Sequence, residues 1–253
     1  LHHAIFRKLY PFFDKTFIAD SYSCRINKGT HSAINTFREY FHKVSKNNTS
    51  TCWVLKCDIK KFFANIDHDA LVKILREYIP DEHITSLLED IIKSFSSEKE
   101  DKGLPLGNLT SQLFVNIYMN KFDQFIKHTL KSKYYIRYSD DFVILSENKN
   151  WLEKQIDPIK KFLREELKLE LHADKIFIKT VSSGVNFLGM INFSDHRILR
   201  TTTKRRMYHK ISKKYEQLRE GLISQESFNQ TFQSYLGLLK HCNGYGMVKK
   251  LED

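Results

Sequence analysis

Asp140 and Asp141 stand side by side in the polar triplet Ser139-Asp140-Asp141, between two runs rich in β-branched and aromatic residues, 134–138 and 142–145. The pattern predicts a short hairpin with both acids at its tip. Read blandly, Asp merely favours the turn. Adjacent carboxylates framed by apolar strands also repel each other, and a bound divalent cation would relieve that repulsion. A third acid, Asp58, ends the upstream run Trp53-Val54-Leu55-Lys56-Cys57. Magnesium takes oxygen ligands from one or two carboxylates plus phosphates and water. Two such ions about 3.5–4 Å apart clamp the attacking and leaving oxygens of a phosphoryl transfer. Asp58, Asp140 and Asp141 suit that chemistry if the fold brings their strands together.

The elements between them allow it. Strand 53–58, the long apolar-faced helix from 110 onwards, the hairpin, an amphipathic helix over 150–167 and a strand over 175–179 spell βαββαβ. That is the ferredoxin-like order, an α+β sheet in which Asp58 and the hairpin tip lie on adjacent strands. Further helices are expected over 4–17, interrupted at Pro11, over 31–43, from Asp67 as N-cap, and over 82–95. The charged stretch 97–102 reads as a solvated loop. Near the end, 201–217 shows a basic face with Met207, Ile211, Tyr215 and Leu218 on the opposing stripe, and 226–241 is another helix.

A net charge of +11 favours a polyanionic partner. Arg25 and Lys28, in a hydroxyl-rich loop, could hold a phosphate backbone or simply lead into the next helix. The four cysteines have neither zinc-site spacing nor a disulfide framework, and no apolar run of 18 residues is present. A reducing cytoplasm and no membrane span are expected.

Asp58-Ile59-Lys60-Lys61-Phe62-Phe63 resembles motif A of reverse transcriptases, Tyr138-Ser139-Asp140-Asp141 their motif C, and Gly103-Leu104-Pro105-Leu106-Gly107-Asn108-Leu109-Thr110-Ser111-Gln112 their motif B. Gly184-Val185-Asn186-Phe187-Leu188-Gly189-Met190 is similar to their primer-grip hairpin. The resemblance implies a right-hand polymerase: residues 1–50 as the remainder of the fingers, 51–197 as the palm and 198–253 as a helical thumb. It implies two Mg²⁺ ions (Mn²⁺ as substitute) on Asp58, Asp140, Asp141 and the Ile59 carbonyl. Lys175 would be a proton donor, and Phe63 a steric gate against ribose. Leu106, Gly107 and Gln112 would line the dNTP site with Phe63. Arg25, Lys28, Lys204, Arg205, Arg206 and Lys210 would contact nucleic acid. The partners implied are template RNA, a DNA or RNA primer and dNTPs, in a bacterial or phage-encoded setting.

Motif B usually reads Gln-Gly-x-x-x-Ser-Pro, whereas here Leu106 replaces Gln and Gln112 replaces Pro. That variant, with Ser234-Tyr235-Leu236-Gly237, resembles the error-prone enzymes of diversity-generating retroelements, which work with a small basic accessory protein. Intron-encoded, retron-like or phage-defence enzymes and an inactive RNA-binding scaffold are the alternatives. Family members carry a triphosphate-gripping fingers segment ahead of where Leu1 stands, so this chain by itself is expected to bind dNTP weakly or be inactive.

Overall fold

The computed structural model describes residues 1–95 and 100–252. The chain divides into two compact units, Leu1–Ile178 and Lys179–Asp253. This division comes earlier than the 197/198 palm–thumb boundary expected from the sequence.

The larger sheet consists of strands β1 (Trp53–Asp58), β2 (Tyr135–Tyr138), β3 (Asp141–Ser146) and β4 (Phe177–Thr180), in the order β2-β3-β1-β4; the first unit holds all of it but the last two residues of β4. Helices α1 (His2–Phe13) and α2 (Thr30–Val44) precede β1; α3 (His68–Tyr78), α4 (Glu82–Lys93) and α5 (Leu109–Gln124) separate β1 from β2; α6 (Lys149–Glu166) separates β3 from β4. Two inner strands flanked by the second and the fourth is the ferredoxin-like order. The sheet buries Val54, Leu55, Cys57, Ile136, Phe142, Val143 and Ile144, and α5 runs through the core with Leu113, Phe114, Ile117, Tyr118 and Phe122 fully covered.

Local chemistry sets several boundaries. Asp67 caps α3 by accepting from the Ala70 amide, and Asp81 caps α4 by accepting from His83 and Ile84. Pro11 does not interrupt the first helix as expected. Its ring leaves the Arg7 carbonyl without an intrahelical donor, and the helix runs only two residues further, to Phe13. The stripe predicted for α4 is only partly inward, because Ile84 and Leu87 are exposed while Leu88 and Ile92 are buried. Half of the loop expected over 97–102, residues 97–99, lies outside the described residues.

The second unit holds an antiparallel sheet of β5 (Val185–Phe187), β6 (Met190–Asn192) and β7 (Arg197–Leu199), then α7 (Thr201–Arg219), α8 (Gln225–Leu239) and α9 (Tyr245–Glu252). Leu188 and Gly189 both take positive φ, the left-handed pair a two-residue hairpin needs. Gly184 is obligatory: its φ is +84°, and a Cβ there would stand 2.8 Å from the Phe193 ring. On α7, Met207 and Ile211 are buried, but Tyr215 is exposed. No helix among the described residues is long and apolar enough to cross a membrane.

Candidate active site

In the β1–β3 register Asp58 faces Asp141, and in the β2–β3 register Tyr138 faces Asp141. Asp141 is therefore the first residue of β3, and only Ser139 and Asp140 form the tip. Ser139 turns the chain with φ 58°. The Asp140 carbonyl accepts from the Ile59 amide at 3.1 Å, and the Asp58 carbonyl accepts from the His172 amide at 2.8 Å. Backbone from three segments thus converges on one acidic edge.

Side chains complete it. Lys56 Nζ lies 2.7 Å from Asp141 Oδ2, and Lys175 Nζ lies 2.8 Å from Asp58 Oδ1. Asp141 Oδ1 is buried with no hydrogen-bond partner. Burial pushes the Asp141 carboxyl up to about 6 against the opposing pull of Lys56, and the charges of Asp58 and Asp140 push the same way as burial. Burial also raises Asp140, with Asp58 adding to it and Lys175 and Lys56 opposing. Among the described residues no three His, Cys, Asp or Glu side chains already stand as a ligand set; ammonium groups occupy carboxylate oxygens here. An all-oxygen donor set, an orphaned buried carboxylate oxygen and crowding that favours neutralisation nevertheless fit a hard divalent cation. Ile59, buried and bridged to Leu171, lies beside them.

The other predicted residues separate into groups. Phe62 is core, while Phe63 is only half-buried and meets it edge-on at 5.4 Å. The Phe63 carbonyl accepts from the Leu104 amide at 2.9 Å, which fixes the start of the motif B loop. Beyond it Leu106 is 76% exposed, and Gly107 takes φ +94° with open space around it. Gln112 is half-buried in the first turn of α5. Lys204, Arg205, Arg206 and Lys210 are all exposed on α7, in the second unit.

Arg25 requires a correction. Its guanidinium donates to Asp14 Oδ1 at 2.7 Å and to the carbonyls of Ile18, Ser21 and Asp14. The side chain is 7% exposed, so it ties its own loop together and offers nothing to a phosphate backbone. Lys28 also bonds within this loop, with its ammonium on the Ala19 carbonyl and over the Tyr22 ring, but that contact is exposed.

Residues 1–192 match the family model described as "Reverse transcriptase (RNA-dependent DNA polymerase)". The chain belongs to that family. It is 26% identical over 243 residues to Protein YkfC of Escherichia coli (strain K12), covering 81% of this chain and 61% of that protein. It is 24% identical over 268 residues to the Group II intron-encoded protein LtrA of Lactococcus lactis subsp. cremoris, covering 78% of this chain and 42% of LtrA. The chain thus spans roughly two fifths to three fifths of the length of these relatives. A solved telomerase from Candida tropicalis, in complex with a TWJ fragment of telomeric RNA, superposes with a TM-score of 0.61 at 14% identity, over 99% of this chain and 47% of that one. At that identity the likeness concerns the fold alone, and it supports the right-hand polymerase architecture.

Two features of this chain are not evident from its sequence motifs. One is Lys56, whose position inside an apolar strand was itself a signal: a buried ammonium needs a partner. The other is Arg137, 1% exposed, paired through Nε and one terminal nitrogen with the fully buried Asp123, at 2.7 Å each. Its other terminal nitrogen donates to the Ser139 carbonyl at 3.1 Å, clamping the turn that carries Asp140. Tyr135 donates to the same Asp123 at 2.7 Å. An arginine between Ile136 and Tyr138, in an otherwise apolar and aromatic strand, could have raised the question.

Proposed function

We propose that this chain is the polymerising core of an RNA-directed DNA polymerase, adding deoxynucleotides to a primer 3′-OH on an RNA template. The observation that carries this reading is the facing of Asp58 and Asp141 across β1 and β3, with Asp140 on the adjoining turn. Divalent cations (two Mg²⁺, with Mn²⁺ as substitute) held by these acids and the Ile59 carbonyl would neutralise charge on the attacking and leaving oxygens.

The chain's own residues orient, exclude and move protons. Lys56 keeps Asp141 directed along the acidic edge, and the Arg137–Asp123 pair holds the Asp140 turn. Lys175, 52% exposed and reaching Asp58 from outside the sheet, is suited to deliver a proton to the departing pyrophosphate. Phe63 presents a ring where a ribose 2′-OH would have to pass. Leu106, Gly107 and Gln112 form the loop and helix start beside the incoming base. Lys204, Arg205, Arg206 and Lys210 supply phosphate contacts without sequence preference. In this reading residues 1–50 complete the fingers, 51–197 make the palm and 198–253 the thumb.

For lineage we favour the error-prone type found in diversity-generating retroelements, together with a small basic accessory protein. Its support is Leu106-Gly107-Asn108-Leu109-Thr110-Ser111-Gln112. An exposed Leu106 cannot offer the hydrogen bonds with which a Gln would restrain the nascent pair. A second reading, an intron-type enzyme, is favoured by the relative whose printed name is group II intron-encoded.

Primer extension on an adenine-containing RNA template, with Mg²⁺ and each dNTP in turn, tests both levels. Extension abolished by Asp140→Asn supports the polymerase. Wrong nucleotides entering mainly opposite adenine, and fewer of them with Leu106→Gln, support the error-prone type. Accurate synthesis moves the assignment to the intron type. RNA binding without extension under any condition replaces the polymerase with a binding scaffold.

A further inference from the structure

We propose that the end of the central sheet away from the carboxylates is a second nucleic-acid site, which seats a nucleotide of a single-stranded RNA by stacking and phosphate pairing. The proposal goes beyond the polymerase reading and does not depend on it.

In the β1–β3 ladder the acids face each other at one end and Trp53 faces Ser146 at the other. Five residue steps at 3.2–3.4 Å put the two ends about 17 Å apart. At the Trp53 end is a cavity of about 330 Å³ whose lining includes Lys43, Lys46, Ser132, Lys133, Tyr134 and Trp151. That volume is at the small end of the range for ligand cavities, about 300–1,000 Å³. The cations alternate with rings. Lys133 Nζ lies 5.5 Å from the Tyr134 ring centre, and Lys43 Nζ lies 5.7 Å from that of Tyr40. Tyr40 in turn meets Tyr134 edge-on at 5.2 Å. Lys149 lies over Trp53 at 5.4 Å. The acid in the lining is Glu147, paired with Lys46 at 3.2 Å.

Ser132 makes the second, independent observation. It lines the same cavity, is 2% exposed, and its buried Oγ has no hydrogen-bond partner. Buried hydroxyls are nearly always partnered. One left unpartnered in the wall of a cationic cavity is suited to donate to a ligand oxygen.

The chemistry favours nucleic acid over the other polyanions. Lysines interleaved with half-buried aromatic faces are the combination that holds unpaired strands, the rings taking bases and the ammoniums phosphates. A duplex keeps its bases stacked on each other and cannot use the rings. A membrane surface would want exposed apolar anchors. The large exposed apolar side chains of this chain, such as Ile84, Leu87 and Tyr215, are not in the cavity lining.

The chain's two tryptophans, Trp53 and Trp151, make the test direct. With Trp53→Phe in the full chain, fluorescence reports Trp151 alone. A single-stranded oligoribonucleotide is titrated at several salt concentrations, with a blunt RNA duplex of the same sequence and anionic vesicles as parallel arms. We expect saturable quenching by the single strand and little by the duplex or vesicles. Adding Lys43→Gln and Lys133→Gln should weaken binding several-fold and flatten the salt slope by about 1.4, at about 0.7 for each phosphate that is no longer neutralised. Ser132→Ala should weaken it further, whereas Asp140→Asn should leave the Trp151 signal unchanged. No quenching, or quenching that ignores both lysines while the variants melt like the parent, overturns the proposal. So does quenching by vesicles or duplex as strong as by the single strand.

Discussion

The two ends of one six-residue strand, β1, lie beside ion pairs treated in opposite ways. At its Asp58 end the ions are drawn into the sheet: Lys56 and Asp141 pair at 2.7 Å with side chains 11% and 18% exposed. At its Trp53 end they stay in water: Lys46 and Glu147 pair at 3.2 Å with side chains 66% and 61% exposed. By distance alone the two pairs are similar. Burial makes them different objects, because a desolvated carboxylate keeps its penalty unless every oxygen is satisfied, and Asp141 Oδ1 is not. Departures from full polar satisfaction concentrate where a fold serves function. The acidic edge departs in that way, which is why single substitutions there should have large effects.

The largest effect is expected on chemistry. Asp58→Asn or Asp140→Asn should lower single-turnover primer extension by about a thousand-fold or more, at about 4 kcal/mol for charge stabilisation lost in a dry site. The fold should persist, since removing one of three crowded carboxylates relieves repulsion. An unfolded Asp140→Asn would show that the acid serves packing and would blur the contrast between the two ends.

Next comes the clamp behind the turn. Arg137→Leu leaves Asp123 buried and charged with only the Tyr135 hydroxyl donating to it, which should cost about 3–5 kcal/mol in urea denaturation. Replacing both, as Asp123→Leu with Arg137→Met, should recover that loss less the cost of about 1–3 kcal/mol for the stranded Tyr135 hydroxyl, while leaving the Ser139 carbonyl unheld. A stable double variant that extends primers poorly would separate the clamp's effect on turn position from its effect on stability. A double variant with full activity would show that the turn positions itself.

The third effect has a definite sign with pH. Asp141 in the folded chain is pushed up to about 6 by burial, whereas an unfolded aspartate ionises near 3.8. Between about pH 4 and pH 6 the folded chain holds a proton that the unfolded chain has released. The contribution of this group to stability is therefore greatest below pH 4 and falls as pH rises to 6, by at most about 3 kcal/mol. Because other carboxylates titrate in the same window, the clean measurement is the difference between wild type and Asp141→Asn. That difference should move in favour of the variant on going from pH 4 to pH 7, and saturating Mg²⁺ should shrink the movement. A flat difference would mean that Lys56 compensates the burial completely.

Much of this is legible in the chain itself, for identifiable reasons. The βαββαβ order follows from long periodic segments, and Asp58 facing the hairpin follows from that order. Lys175 is placed by resemblance, and the structure sets it against Asp58. What local pattern does not encode are relations between distant residues. Arg25 looks like a phosphate contact because a loop arginine usually is exposed; only the fold reveals Asp14 and three carbonyls around it. Arg137 and Asp123 look unremarkable separately, and their bidentate pairing exists only once α5 lies against β2. Asp141 reads as part of the tip, but a two-residue turn at Ser139-Asp140 leaves it in the strand. The third strand of the small sheet, Arg197–Leu199, is too short to stand out from its turn-rich neighbours.

The smallest effect belongs to the exposed end and sharpens the contrast most economically. Lys46→Gln or Glu147→Gln breaks an ion pair of nearly the same length as Lys56–Asp141. Water already solvates both partners, so the pair's Coulomb attraction is weak and its ordering entropy offsets much of it. Stability should change by less than about 0.5 kcal/mol, and raising salt should erase even that. The informative comparison is with Lys56→Gln, which strands a buried carboxylate and should lose several times more at pH 7 but little at pH 4, where Asp141 is protonated. Equal losses from Lys46→Gln and Lys56→Gln at pH 7 would mean that separation, not burial, sets the strength of these pairs, and the distinction between the two ends of β1 would collapse.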